Sequence, residues 1–125
     1  MGIPVYQQFG DNEPADYIIL IDNKALKIQV KSSDTYDGDK VVFDLTSSTV
    51  HRTNGDKHKY TTEEVDIFVC YDIQTKELFL VRNSGDMSGI TIRYTGPKNN
   101  QQQGINYSTN FSLCVETLHE IANTK

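Results

Sequence analysis

Asp16, Gln29 and Lys31 are the residues of this chain whose types and spacing could do chemistry together. Gln29 and Lys31 lie in "KALKIQVKSS", residues 24 to 33, and Asp16 stands thirteen residues before Gln29, in "EPADYIILID". In the first segment Leu26, Ile28 and Val30 alternate with Lys27, Gln29 and Lys31, the mark of a half-buried strand. Gln29 and Lys31 therefore point the same way. "ADYIILID" is a second, strongly apolar strand, and "DNK" turns it into the first. A hairpin turning at Asp22 to Lys24 brings Asp16 opposite the region of Gln29 to Lys31, within reach across an antiparallel ladder. A carboxylate and an amide carbonyl oxygen are hard ligands suited to Mg²⁺, which takes few protein ligands and keeps several waters. A lysine beside them can orient or deprotonate a water, or hold a phosphate. Together these are the parts for metal-assisted phosphodiester hydrolysis. Taken singly, each also has a structural role open to it: strand entry for Asp16 after Pro14, a surface position for Gln29, and an edge-strand charge for Lys31.

The elements that must position these residues fit one domain, 1–125, large enough to bury a core. "PVYQQF" reads as a short strand from Val5 to Phe9, and "GDNEP" as a turn. After the hairpin come a polar loop, "SSDTYDGDK", a strand, "VVFDLTS", and a basic loop, "HRTNGDKHKY". "TTEEV" suits one helical turn, capped by Thr61 or Thr62 with Glu63 and Glu64 following. "VDIFVCYD", "LFLVRN" and "ITIRYT" are further strands, and Asp66 at the head of the first is expected to bond the turn before it. "GPKNNQQQG" is a polar loop. In "STNFSLCVETLHEIA", Phe111, Cys114, Leu118 and Ile121 fall at helical spacing, which predicts a C-terminal amphipathic helix capped by Ser108 or Thr109. The fold class is α/β (α+β) with a single main helix. Strands as apolar as "DYIILI" and "DIFVCY" want cover on both faces, and one helix covers one. A partner subunit, or extra strands folding back, must cover the other.

Composition narrows the function classes. The apolar runs fall short of the roughly 18 residues of a membrane span. "MGIPVYQQFG" has no basic and apolar leader pattern, and Tyr6 stands where a myristoylation signal wants Ser or Thr, so a cytoplasmic protein is expected. Cys70 and Cys114 lie in apolar segments and read as buried thiols. The net charge of −5 is unevenly placed. Acidic residues crowd positions 11 to 39, while the loop at 51 to 60 carries Arg52, Lys57 and Lys59. That division suits a metal site beside a phosphate-binding surface, to which Arg82, Arg93 and Lys98 can add. Tyr36, Tyr60 and Tyr94 sit near loops where a base could stack. His51, His58 and Cys70 do not have zinc-ligand spacing, and no dinucleotide, P-loop, Ser-His-Asp or CxxC pattern occurs.

Asp16 followed by Gln29-Val30-Lys31 resembles the motif of the PD-(D/E)xK nuclease superfamily. Most members carry Asp or Glu at the middle position. The glutamine here is similar to that of the cyanobacterial group I intron homing endonucleases of the superfamily. "YTTEEVDIFVCYDIQTKELFLV" resembles the stretch of that family in which a tyrosine precedes a Val-Asp and an aromatic-rich strand. "ITIRYTGPKNNQQQGINYSTNF" resembles its closing segment. The likeness runs from about Gly2 to Phe111. It implies a central mixed sheet of restriction-endonuclease type with extra antiparallel strands and a C-terminal helix. It also implies an endonuclease that cuts double-stranded DNA with Mg²⁺, as a homodimer or higher oligomer. Members of the family begin with a helix that supplies a metal-binding Glu. No counterpart is expected here, which leaves three accounts: a chain truncated or shorn of that helix in evolution, Glu13, close before Asp16, in the acid's place, or a degenerate site. The alternative is a catalytically inactive relative, of the kind phages encode, that binds DNA or blocks another nucleic-acid enzyme.

Overall fold

A computed structural model of the protein describes residues 4–7, 15–48, 57–94, 106–111 and 115–124. Its main sheet holds β1 (Val5–Gln7), β2 (Tyr17–Ile21), β3 (Lys24–Ser33), β7 (Ile67–Asp72) and β8 (Leu78–Arg82), in the order β1-β2-β3-β7-β8. The β3–β7 pair is parallel and the other pairs are antiparallel, so the sheet is mixed. A parallel pair needs a long crossover. The chain between β3 and β7 uses it to build β4 (Lys40–Asp44), β5 (Thr46–Ser48) and β6 (Lys57–Lys59). β4 joins β9 (Gly89–Arg93) and β10 (Asn106–Tyr107) in a second sheet, and β5 and β6 form an antiparallel ribbon. A 3₁₀ turn at Ser108–Phe111 and helix α1 (Val115–Asn123) complete the described chain.

The β2–β3 hairpin forms as its sequence predicts. Asp22 and Asn23 both take positive φ, 52° and 64°, which gives the strand twist that a two-residue hairpin turn needs. Side chains of successive strand residues leave the sheet on opposite faces. From β7, Ile67 goes to the helix side and Phe68 and Cys70 to the other, so a fully buried strand reads as an unbroken apolar run. On the helix side Ile19, Ile21, Leu26, Ile28, Ile67 and Leu80 pack with Leu118, Ile121 and Ala122 of α1. On the other side Phe68, Cys70, Phe79 and Val81 pack with Val41, Phe43, Ile90 and Ile92 of the second sheet. Cover for the second face therefore comes from strands that fold back over it.

Local readings differ from the structure in several places, and Lys57–Lys59, read as part of a loop, form β6. Of the strand expected over Val5 to Phe9, Val5–Gln7 forms β1, and Gln8 and Phe9 lie outside the described residues. "VVFDLTS" breaks at Leu45 into β4 and β5, because the Asp44 carboxylate accepts from both the N–H (2.9 Å) and the hydroxyl of Thr46 and turns the chain. Phe111 belongs to the 3₁₀ turn and packs against the sheet–sheet core, away from α1; Cys114 is outside the described residues. Asp66, expected to bond the turn before it, bonds the neighbouring strand. Its Oδ2 accepts from Lys27 N (2.8 Å) and its N–H donates to Lys27 O (2.9 Å), extending the parallel ladder by one residue.

Candidate active site

Asp16 sits just before β2, where the ladder with β3 ends. Its N–H donates to Ile28 O at 2.8 Å, and its Oδ2 accepts from Val30 N at 3.0 Å. The two bonds clamp Asp16 across residue 29. The paired register ends at Tyr17 and Ile28, and the two bonds of Asp16, to Ile28 and Val30, set it beside Gln29 at the end of the ladder. Tyr17 and Ile28 both line a groove on the helix side. Gln29 and Lys31, by strand alternation, take the opposite face, and the Asp16 carboxylate acts electrostatically on Lys31 and Tyr60 of that face. The structure thus brings all three together at the open end of the hairpin, as the spacing predicts.

Lys31 is half-buried beneath the β5–β6 ribbon. Its Nζ donates to Thr46 O at 2.9 Å and lies 5.3 Å from the centre of the Tyr60 ring. Burial lowers the pKa of the ammonium below the usual lysine range, while the Asp44 and then the Asp16 carboxylate work against that shift. Cys70 lies beside Lys31 in register, and burial pushes its thiol up to about 12, so it remains neutral. Tyr60 is 6% exposed, hydrogen-bonds Ser47 through its hydroxyl, and has its pKa raised chiefly by burial, with the negative charges of Asp16 and Glu64 adding to it. Asp44 and Tyr60 are neighbours of Lys31 that the motif does not announce. The in–out alternation of β4, with Val41 and Phe43 in and Asp44 out, was the available signal for Asp44.

The turn at residues 61–65 anchors this corner. Thr61 Oγ1 accepts from Glu64 N (3.2 Å) and Glu64 Oε1 accepts from Thr61 N (3.0 Å), the reciprocal pair of a capping box. The backbone bond to Thr61 is the main reason that the Glu64 carboxyl titrates below its usual range, with His58 at 2.8 Å adding to it. Asn83, 5% exposed, fixes the same turn from below. Its Nδ2 donates to the carbonyls of Tyr60 (3.1 Å), Thr61 (3.2 Å) and Val65 (2.9 Å), and its Oδ1 accepts from Gly85 N (2.9 Å).

The basic candidates separate. Lys59 is exposed on β6, in register with Thr46, whose carbonyl holds Lys31. The backbone of Lys57 lies on the same ribbon opposite Ser48. Arg93 ends β9 in the second sheet, opposite Lys40. Arg82 stands two strands from β3, at the far edge of the main sheet, and its Nη2 donates to Thr124 Oγ1 at 2.7 Å beyond the end of α1. Glu13, Arg52 and Lys98 lie outside the described residues. Of the tyrosines, Tyr60 is in the core, and Tyr36 and Tyr94 are partly buried and meet edge to face with ring centres 5.2 Å apart.

The donor set fits a divalent cation of the Mg²⁺ kind. Asp16 offers a carboxylate held in place by Val30 N–H, Gln29 beside it offers an amide oxygen, and a metal that keeps most of its waters needs few protein ligands. Among the described residues, no three His, Cys, Asp or Glu side chains cluster as a denser metal site.

A family model described as "PD-(D/E)XK endonuclease" matches residues 1–114. Among solved structures, a bacterial homing endonuclease, I-Ssp6803I, superposes with a TM-score of 0.69 at 22% identity, over 99% of this chain and 82% of that one. It establishes the likeness of fold: a mixed sheet with added antiparallel strands and a C-terminal helix. A search of curated proteins found no match.

Proposed function

Because the chain belongs to the PD-(D/E)XK endonuclease family, we propose that it is a Mg²⁺-dependent endodeoxyribonuclease of the cytoplasm, one domain over residues 1–125, that hydrolyses phosphodiester bonds in double-stranded DNA. The observation that carries this reading is the placement of Asp16, Gln29 and Lys31 together at the open end of the β2–β3 hairpin. Nucleases of this family generally use divalent metal ions. A bound Mg²⁺ supplies Lewis-acid stabilisation of the phosphate and a more acidic water. Asp16 and Gln29 would hold it, with Glu13 as a third candidate ligand. The Lys31 ammonium, on the face it shares with Gln29, would neutralise charge on the scissile phosphate and orient the attacking water. Lys57 and Lys59 on the ribbon, with Arg52, Arg93 and Lys98, take the flanking phosphates; Arg82 is the weakest member of that set because it faces α1.

Cutting both strands calls for two sites, and a homodimer supplies them. A groove of about 330 Å³ beside α1 supports a second copy there. It is lined by apolar side chains only, among them Val5 (59% exposed), Tyr17 and Val30. The second reading is an inactive relative that binds DNA or blocks another nucleic-acid enzyme. The net charge of −5 and the carbonyl contact of the Lys31 ammonium favour it. A plasmid-nicking assay separates the two. The nuclease reading expects cleavage with Mg²⁺, none with EDTA, and none by Asp16→Asn. DNA binding without cleavage under any divalent metal would leave the second reading standing.

A further inference from the structure

We infer that Tyr60 is a positioning residue for Lys31, its ring face serving as the platform that aims the ammonium at the scissile phosphate, an assignment that rests on the nuclease reading of the Asp16–Gln29–Lys31 site. A lysine ends in a flexible four-carbon stem with a compact charge, and it does nothing to aim itself. Here two contacts limit it. One is the bond from Nζ to Thr46 O at 2.9 Å; the other is the Tyr60 ring at 5.3 Å, inside the range in which a cation is attracted to an aromatic face. An ammonium carries three N–H donors, so the carbonyl and the ring leave one for a phosphate oxygen or a water.

The ring is itself held rigidly. Phe68 and His58 meet it edge to face, each with ring centres 5.9 Å apart. Its hydroxyl bonds Ser47 on β5, and its backbone carbonyl is one of the acceptors of the buried Asn83 amide. Phe68 is the register partner of Gln29, so the platform and the candidate metal ligand are fixed by neighbouring strands of one sheet. His58 is turned toward Glu64, which leaves the Tyr60 face to Lys31. The ribbon carrying Lys59 closes over the same corner. Tyr60 thereby ties the geometry of Lys31 to the segment proposed to meet the DNA backbone.

The test has an arm that does not depend on cleavage. In the wild-type protein, NMR is expected to show the Lys31 ε-methylene protons shifted upfield by the ring, with a nuclear Overhauser contact between them and the Tyr60 ring protons. Absence of that contact overturns the proposal even if every variant unfolds. In the second arm, Tyr60→Leu is expected to lower kcat about tenfold with KM unchanged, about 1.4 kcal/mol of lost transition-state stabilisation, and Tyr60→Phe to restore it. A role in packing alone would lower the melting temperature of Tyr60→Leu and leave kcat per folded molecule where it was, which refutes the assignment. Equal losses in Tyr60→Leu and Tyr60→Phe would refute it too, by assigning the effect to the hydroxyl. If the wild type cleaves nothing, the nuclease reading fails and the NMR arm still decides whether Tyr60 sets the position of Lys31.

Discussion

Replacing Asn83 by Ala should destabilise the protein far more than one small polar side chain suggests. The Asn83 amide meets three carbonyls, of Tyr60, Thr61 and Val65, with only two hydrogens, so one hydrogen is shared. Thr61 O also accepts from the N–H groups of Glu64 and Val65, and loses least. The carbonyls of Tyr60 and Val65 are left in a buried setting without that donor, and Gly85 N loses its acceptor. Each orphaned buried group costs about 1–3 kcal/mol, and partial relaxation sets the expected total at ~3 kcal/mol. That is a large share of a domain stability of about 5–15 kcal/mol, and corresponds to a fall of roughly 10 °C in melting temperature. Urea unfolding followed by circular dichroism measures it. Asn83→Asp discriminates the cause. It keeps the acceptor for Gly85 N but turns a carboxylate oxygen toward three carbonyls, so at neutral pH it should cost at least as much as Ala and recover in part as the pH falls. An Ala variant within about 1 kcal/mol of wild type, or an Asp variant as stable as wild type, would refute the account of this corner.

Three other outcomes follow from single contacts. Tyr94 donates to the fully buried Asp72 Oδ2 at 2.8 Å and meets Thr75 Oγ1 at 2.8 Å, and burial pushes its pKa up to about 12. A hydroxyl whose folded pKa lies above its unfolded value of about 10 stabilises the fold fully below that value and loses its contribution as pH rises toward the folded pKa. Wild type should therefore weaken between pH 10 and about 12 with a slope that Tyr94→Phe reduces, and the variant should lose about 2 kcal/mol at pH 7 in denaturant melts. Lys59→Ala should weaken DNA binding at low salt and flatten the log K against log salt plot by roughly one unit, and an unchanged slope would remove the ribbon from the DNA surface. Val5→Glu, on the exposed edge of the apolar groove, should shift sedimentation from dimer to monomer without lowering stability; a wild type that is already monomeric at micromolar concentration would remove the proposed second copy.

What was legible in the sequence is what local chemistry encodes. Leu26, Ile28 and Val30 against Lys27, Gln29 and Lys31, with Asp22 and Asn23 at the turn, set the hairpin register, and the register brings Asp16 to the end of the ladder beside Gln29. The parallel pairing of β3 with β7 was not legible, because no periodicity reports which distant strand lies alongside. The fold-back of β4 and β9 over the second face was open for the same reason. Phe111 shows the limit of pattern reading. Its spacing fits the helix, but a 3₁₀ turn before α1 sends it to the other core. Asp44 and Tyr60 come within range of Lys31 only once the crossover is built; the alternation of β4 marks Asp44 as outward-facing but does not say that it faces Lys31.

The most direct test of the central claim is to locate the metal. Mn²⁺, a paramagnetic substitute for Mg²⁺, broadens the NMR signals of nearby nuclei. The account predicts that substoichiometric Mn²⁺ first removes the amide signals of Asp16, Gln29, Val30 and Lys31 and the side-chain amide of Gln29, and that Asp16→Asn abolishes this. Broadening centred elsewhere, such as on Asp34, Asp37 and Asp39, or the same broadening in Asp16→Asn, would contradict it.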